Sequence, residues 1–340
     1  MNKTFKAFVA TAASAAAMLC APVAQAQGKG ETVRFQDFPG LGNMMIRVAI
    51  NKGYCEKAGI KCELQMIPAS PLGAQAMMAK SIESFMSPVD VVNSAVQRGA
   101  KMKIVAGGSM AVVLQLVIGN HVDSPNAGKP WPAFMQDFKG KKIGVTSRGS
   151  ATETWTTWML TKAGISADDV TFVAVGGPNT GYGALISKQV DALMSFDPVG
   201  ALCETLKTCK MVYRTAFDKE PAELYALNGG SVGNVFSQEY IDKNPHVIEA
   251  VIKATKDAEG FINVPGNFDE VAKISQQYFK LDMPRGDEIL NTALRNAINT
   301  NSYRAAIKRD SVQSALNMLL ATKQIEKAAP LSDLIYDKAP

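Results

Sequence analysis

From residue 31 onward, apolar positions switch repeatedly between a period of two and a period near 3.6, the alternation of strands with helices. Val33 and Phe35 alternate with polar neighbours and predict a short strand, which Phe38-Pro39-Gly40-Leu41-Gly42 breaks. Over residues 43–58, Met45, Ile46, Ala49 and Ile50 fall on one helical face, with Asn43 placed to cap the helix and Gly59 to end it. Cys62, Leu64 and Met66 return to strand period. A Pro68-Ala69-Ser70-Pro71 loop then leads to a helix at 72–80, a strand at 82–86, a helix at 88–98 and a strand at 103–106. This βαβαβαβ order is that of a mostly parallel sheet covered by helices.

An extended run at 111–120 is followed by a Pro-, Gly- and Asn-rich stretch, 123–132, that reads as a boundary loop. Past it the alternation restarts: strands at 142–146, 170–175, 191–196 and 209–213, with helices at 151–163, 179–189 and 198–208 between them. A glycine-bearing extended segment, 223–236, reads as a return crossing, and the chain is almost wholly helical from residue 238. Two crossings around a central α/β unit predict an insertion. Lobe one comprises residues 27–117 and 222–340, lobe two residues 118–221, joined by a two-strand hinge that permits closure on a ligand.

Residues 1–26 change the setting in which this is read. Lys3 and Lys6, an apolar stretch from Phe8 to Cys20 and the ending Ala24-Gln25-Ala26 have the layout of a secretory signal peptide cleaved near Ala26. A membrane anchor is disfavoured because the apolar run falls short of the ~20 residues a span needs. Lipidation at Cys20 is disfavoured by Leu19 before it. The expectation is a dissolved periplasmic protein. Removing the two leader lysines lowers the formal charge from +5 to about +3, spread without a basic block, so nucleic acid is not suggested. Four cysteines remain, and four allow three pairings. Cys55 and Cys62, like Cys203 and Cys209, are close in sequence, the first late in a helix and the second in the next strand, so local bridges need little rearrangement and an oxidising compartment favours them. Each bridge would contribute about 2 kcal/mol on the loop-entropy model. The rival, a four-thiolate zinc site, lacks close C-x₂₋₄-C spacing.

Several runs resemble a known family. Gly53-Tyr54-Cys55-Glu56-Lys57-Ala58-Gly59-Ile60 resembles a helix end of periplasmic solute-binding proteins of the nitrate/sulfonate/taurine type, and Phe138-Lys139-Gly140-Lys141-Lys142-Ile143-Gly144-Val145-Thr146-Ser147, with Gly149-Ser150, resembles their lkGKkIgv strand and loop. Lys162-Ala163-Gly164-Ile165 with Asp168-Asp169-Val170, Gln189-Val190-Asp191-Ala192 with Asp197-Pro198, and Asn244-Pro245-His246-Val247 follow in the family's order. The resemblance spans nearly all of residues 31–325. It implies a type II periplasmic-binding-protein fold and a monomeric ABC-importer component that captures a small organic anion, a sulfonate or carboxylate, for an inner-membrane permease. Cys55 departs from the family, which usually has Phe there, and Arg148 stands where a proline or small residue is common, so ligand identity does not transfer. Alternatives of other classes are a tripartite-carrier subunit, a sensor ectodomain, which would need an anchoring span, and a thiamine-pyrimidine-precursor binding or synthesis protein, whose cysteine-rich iron motif is missing.

In open α/β sheets ligands lie beyond the carboxyl ends of the strands. The loops to examine are therefore Phe38, Pro39 and Gly40; Ser70; Met86 and Ser87; Ser147, Arg148, Ser150, Ala151 and Thr152; Asn179; and Phe196 and Asp197. At residues 147–152 a helix begins, whose free N–H groups and dipole suit an anion, with Arg148 as a charged fork. The plainer roles are a cap at Ser150 or Thr152 and a solvated Arg148. Phe38, Met86 and Phe196 suit an apolar wall or the core. Asn228, beside Gly229-Gly230, offers an amide or serves a turn. Trp155 and Trp158 read as sheet packing. With two histidines, His121 and His246, far apart in sequence, no Walker loop, no ordered glycine fingerprint at 176–178, and Glu153 and Asp197 unpaired, neither catalysis nor a metal or other cofactor is expected.

Overall fold

The computed structural model describes residues 28–67 and 70–340; the leader, the signal-peptide reading attached to it, and Pro68 and Ala69 lie outside the described residues. Among the described residues ten strands form two five-stranded sheets. The first has the order β2 (Ile60–Met66), β1 (Glu31–Asp37), β3 (Ser84–Pro88), β10 (Val232–Ser237), β4 (Met102–Ser109), and the second the order β7 (Thr171–Ala174), β6 (Lys142–Val145), β8 (Ala192–Ser195), β5 (Gln115–Gly119), β9 (Cys209–Arg214). In both sheets the first three strands run parallel. The fourth is antiparallel to its neighbours, and in each case it is the strand that enters from the other sheet. The repeated βα pattern thus produces two units of the same topology, two-lobed and α/β, with the first sheet built from both ends of the described chain.

The crossings are narrower than the sequence pattern suggests. Strand geometry in 111–120 is confined to β5, and residues 223–236 begin with a helical turn, Ala222–Tyr225, before β10. What joins them is Asn228: its Oδ1 accepts from Val112 N at 2.8 Å and its Nδ2 donates to Thr215 O at 2.8 Å. Gly229 N donates to Met110 O, and the buried Thr215 donates to Leu114 O through both its N–H and its hydroxyl. The amide of Asn228 is therefore spent on the hinge.

Two further expectations need correction. The helix expected over 43–58 is two pieces, Met44–Asn51 and Tyr54–Lys57, because Gly53 adopts a left-handed conformation (φ 66°) between them. Asn43 makes no side-chain cap; its Nδ2 donates to Gln36 O instead. Ser70 and Pro71 belong to the helix Ser70–Met78 rather than to a loop.

Helix Met44–Asn51 and the long helix Pro245–Ile262 bury Met45, Val48, Ile248 and Val251 with Phe35 and Phe236 of the first sheet. The second sheet packs Leu116, Ile143 and Met194 against Phe138, Met159 and Leu160. A separate cluster joins the second unit to the C-terminal helices. Ala201 and Leu202, on helix Val199–Leu206, meet Leu281, Ile289, Leu290 and Ala293 around helix Gly286–Asn299. Both local disulfides, Cys55–Cys62 and Cys203–Cys209, are formed, each tying a helix to the following strand.

Candidate functional site

A cavity of about 540 Å³ opens between the two sheets, beyond the ends of their strands, within the size range of small-molecule sites. The β1 loop contributes Phe38, Pro39, Gly40 and Leu41, the C-terminal helical region contributes Phe279 and Leu290, and the loops after β7 and β8 of the second sheet contribute Gly177–Thr180 and Phe196–Pro198.

The β1 loop is held from behind. Arg47, on helix Met44–Asn51, is wholly buried and forks onto Asp37, with Nη2 2.9 Å and Nε 3.1 Å from Oδ1. Two of its remaining N–H groups donate to Phe38 O (2.6 Å) and Gly40 O (2.5 Å). Asp37 Oδ1 also accepts from Phe38 N, and the buried Tyr303 hydroxyl donates to Leu41 O at 2.9 Å. Along this stretch of wall the carbonyls of Phe38, Gly40 and Leu41 thus each have a fixed partner. Gly40 has φ 101°, a conformation that side chains resist. The Arg47 guanidinium also lies 5.2 Å from the ring centre of Tyr278, the residue before Phe279, so one cation touches both the β1 loop and the segment that carries Phe279.

Across the cavity Asp197 is half-buried. Its Oδ1 accepts from Gln115 Nε2 at 2.7 Å, and Gln115 is itself fixed because its Oε1 accepts from Gly200 N at 2.6 Å. Burial pushes the Asp197 carboxyl up to about 6, against the Gln115 hydrogen bond and nearby Arg214, which favour its charged form. Arg214 pairs with Glu204 and makes no ion pair with Asp197.

Of the residues expected from sequence, the structure brings Phe38, Pro39, Gly40, Asn179, Phe196 and Asp197 together around the cavity. Met86 and Ser87 are buried in the first sheet, Ser70 donates to Met86 O, and none of the three lines it. Asn228 is in the hinge. Ser147, Arg148, Ser150, Ala151 and Thr152 gather at the start of helix Ala151–Lys162, outside the lining. There Glu153 occupies the anion's place: its carboxylate accepts from Gly149 N at 2.7 Å and from Arg148 Nε at 3.0 Å. Thr152 Oγ1 accepts from Thr146 N and meets the Ser150 hydroxyl at 2.7 Å. Trp155 and Trp158 are partly buried against the second core, as read from their spacing. Phe279 and Leu290 were not among the expected residues. They come from the C-terminal helical region, Leu290 on helix Gly286–Asn299 and Phe279 just past helix Phe268–Tyr278, where no strand end marks them.

The family model described as NMT1/THI5 like matches residues 43–263. A Brucella abortus protein, named only as a candidate binding protein, is 27% identical over 247 residues, covering 71% of this chain and 69% of that one. The periplasmic aliphatic sulphonate-binding protein SsuA of Escherichia coli has a similar fold, with TM-score 0.68 and 15% identity over 91% of this chain and 98% of its own. So does the desulfurization enzyme DszB, with TM-score 0.64 and 13% identity over 91% and 97%. At such identities the two solved structures speak for the fold, the two-lobed periplasmic-binding-protein fold, which here has hosted both binding and catalysis.

Proposed function

This chain belongs to the NMT1/THI5-like family, and from that premise we propose that it is the solute-capturing component of an ABC importer, working in the periplasm after removal of its leader near Ala26. The observation that carries the reading is the cavity between the lobes, whose walls come from both sheets while the hinge stands apart at Asn228. In this reading the division into lobe one (27–117 and 222–340) and lobe two (118–221) is the mechanical one: lobe two turns on the crossings and a solute bridges the walls. The solute is a small organic molecule. An anionic group on it, as the name of the Escherichia coli neighbour suggests, would find the N-terminus of helix Pro178–Ile186 at the cavity wall.

Binding without turnover is supported by the wall's chemistry. Among the described residues that line it, Asp197 is the single ionisable group, and it has no nucleophile–base partner there. The permease would recognise the closed form of a monomer.

The test is a thermal-shift screen of organic sulfonates, carboxylates and amines on the mature protein, followed by small-angle scattering with each hit. A true solute at a hundred times its Kd stabilises by about 2.7 kcal/mol and contracts the particle. Chemical conversion of the hit, or identical scattering with and without it, overturns the reading.

A further inference from the structure

Resting on the reading that the cleft takes a solute, we infer that Asp197 selects molecules that present it with a protonated or N–H-bearing nitrogen on an apolar, preferably aromatic, body. No arginine, lysine or histidine is among the described residues that line the cavity, and its one charged side chain is a carboxylate. Lysine- or arginine-based recognition of an anion is therefore not built into this wall.

The carboxylate is held in place yet incompletely satisfied. Gln115 fixes Oδ1 and is itself fixed by Gly200 N, so the amide cannot turn to follow a ligand. Oδ2 has no hydrogen-bond partner among the described residues, although an ionised carboxylate accepts several donors. Arg214, the cation that acts on it electrostatically, is paired with Glu204. Burial raises the Asp197 pKa, and a donor from the solute would offset the cost of withdrawing the carboxylate from water with a charge-assisted hydrogen bond. Phe38, Leu41, Phe196, Phe279 and Leu290 supply the apolar surface for the rest of the molecule. An anionic group elsewhere on the same molecule remains compatible with this arrangement.

Three probes of similar shape separate the possibilities: 2-phenylethylamine, 2-phenylethanol and 3-phenylpropionate, titrated calorimetrically into the mature protein at neutral pH. The inference expects the amine to bind about tenfold or more tighter than the alcohol, with the carboxylate weakest. Asp197→Asn, which keeps an acceptor for Gln115, should bring the amine and alcohol to within about threefold. Wild-type protein that binds the alcohol or carboxylate as tightly as the amine, or that fails to bind the amine, overturns the inference without recourse to any variant. Amine affinity that survives Asp197→Asn overturns it as well. Binding of the carboxylate alone, lost in Phe196→Ala, would keep solute capture and remove the nitrogen preference, so the two readings fail separately.

Discussion

Two aspartates stand near the same cleft, Asp37 buried behind one wall and Asp197 lining the other, and their surroundings could hardly differ more. Asp37, at the end of β1, is 3% exposed and bonds through Oδ1 to two nitrogens of Arg47 and to Phe38 N. Asp197, just past β8, is partly open to the cavity and has Gln115 as its partner. The first is buried with its counter-charge and every strong donor in place, which turns a costly ion pair into a brace for the wall. The second retains unused acceptor capacity where a guest would lie. The difference separates scaffold from site: near a cleft, a charge informs about binding through what it still lacks.

The strongest way to break the comparison is to strip Asp37 of its partner. Arg47→Met leaves a buried carboxylate uncompensated and should cost about 3–5 kcal/mol of stability in urea unfolding. Adding Asp37→Leu should recover much of that loss, since a buried pair replaced by apolar groups is often near neutral. The double variant would still bind solute poorly, because the Phe38 and Gly40 carbonyls lose the donors that hold them. Full binding by a stable double variant would show that the pair serves stability alone.

The opposite sign is expected at Asp197. Its folded pKa, about 6, lies above the ordinary value of 3.8, so between those values the native state holds the proton that the unfolded chain has released. Stability of the empty protein therefore falls as pH rises from about 4 to 6 and stays reduced above that. Arg214, Gln115 and Tyr303 are the groups that face this carboxyl from β9, β5 and the loop after helix Gly286–Asn299. Asp197→Asn should remove this slope and stabilise the empty protein at pH 7 by up to about 3 kcal/mol. Thermal melts of both proteins from pH 4 to 8 provide the check, and parallel curves would place Asp197 among solvated carboxylates.

The same contrast explains what could be seen in the chain beforehand. Phe38, Gly40, Asn179, Phe196 and Asp197 were legible because each follows a strand, and strand ends are set by local alternation and breakers. Phe279 and Leu290 were not. They reach the cavity because helix Gly286–Asn299 packs on Ala201 and Leu202, a contact between segments some ninety residues apart that no local period encodes. Asn228 was legible as an amide in a turn, but its use depends on Val112 and Thr215, which only the crossing of the chain brings near. The break at Gly53 escaped because the apolar face runs past it, while the backbone obeys the glycine. The two bridges were readable from spacing, since a helix end and the next strand are neighbours before any long-range packing forms.

Arg148 provides the smallest effect and the finest test of the rule. It was attractive in sequence as a cation at a helix start, yet its guanidinium meets Glu153, with Nη2 2.9 Å from Oε1, while its side chain remains 64% exposed. The pairing lies five residues apart, outside ordinary helical spacing, because the turn at Gly149 (φ 76°) folds Arg148 back over the first helical turn. An exposed pair of this kind contributes about 0–1 kcal/mol, so Arg148→Ala should change stability by no more than about 0.5 kcal/mol and leave 2-phenylethylamine affinity within about twofold. Its loss frees Glu153 to cap Gly149 N alone, a contact the variant retains. A tenfold loss of affinity would mean that lobe movement brings this satisfied charge into the site, and the distinction drawn between Asp37 and Asp197 would then hold for the present arrangement of the lobes alone.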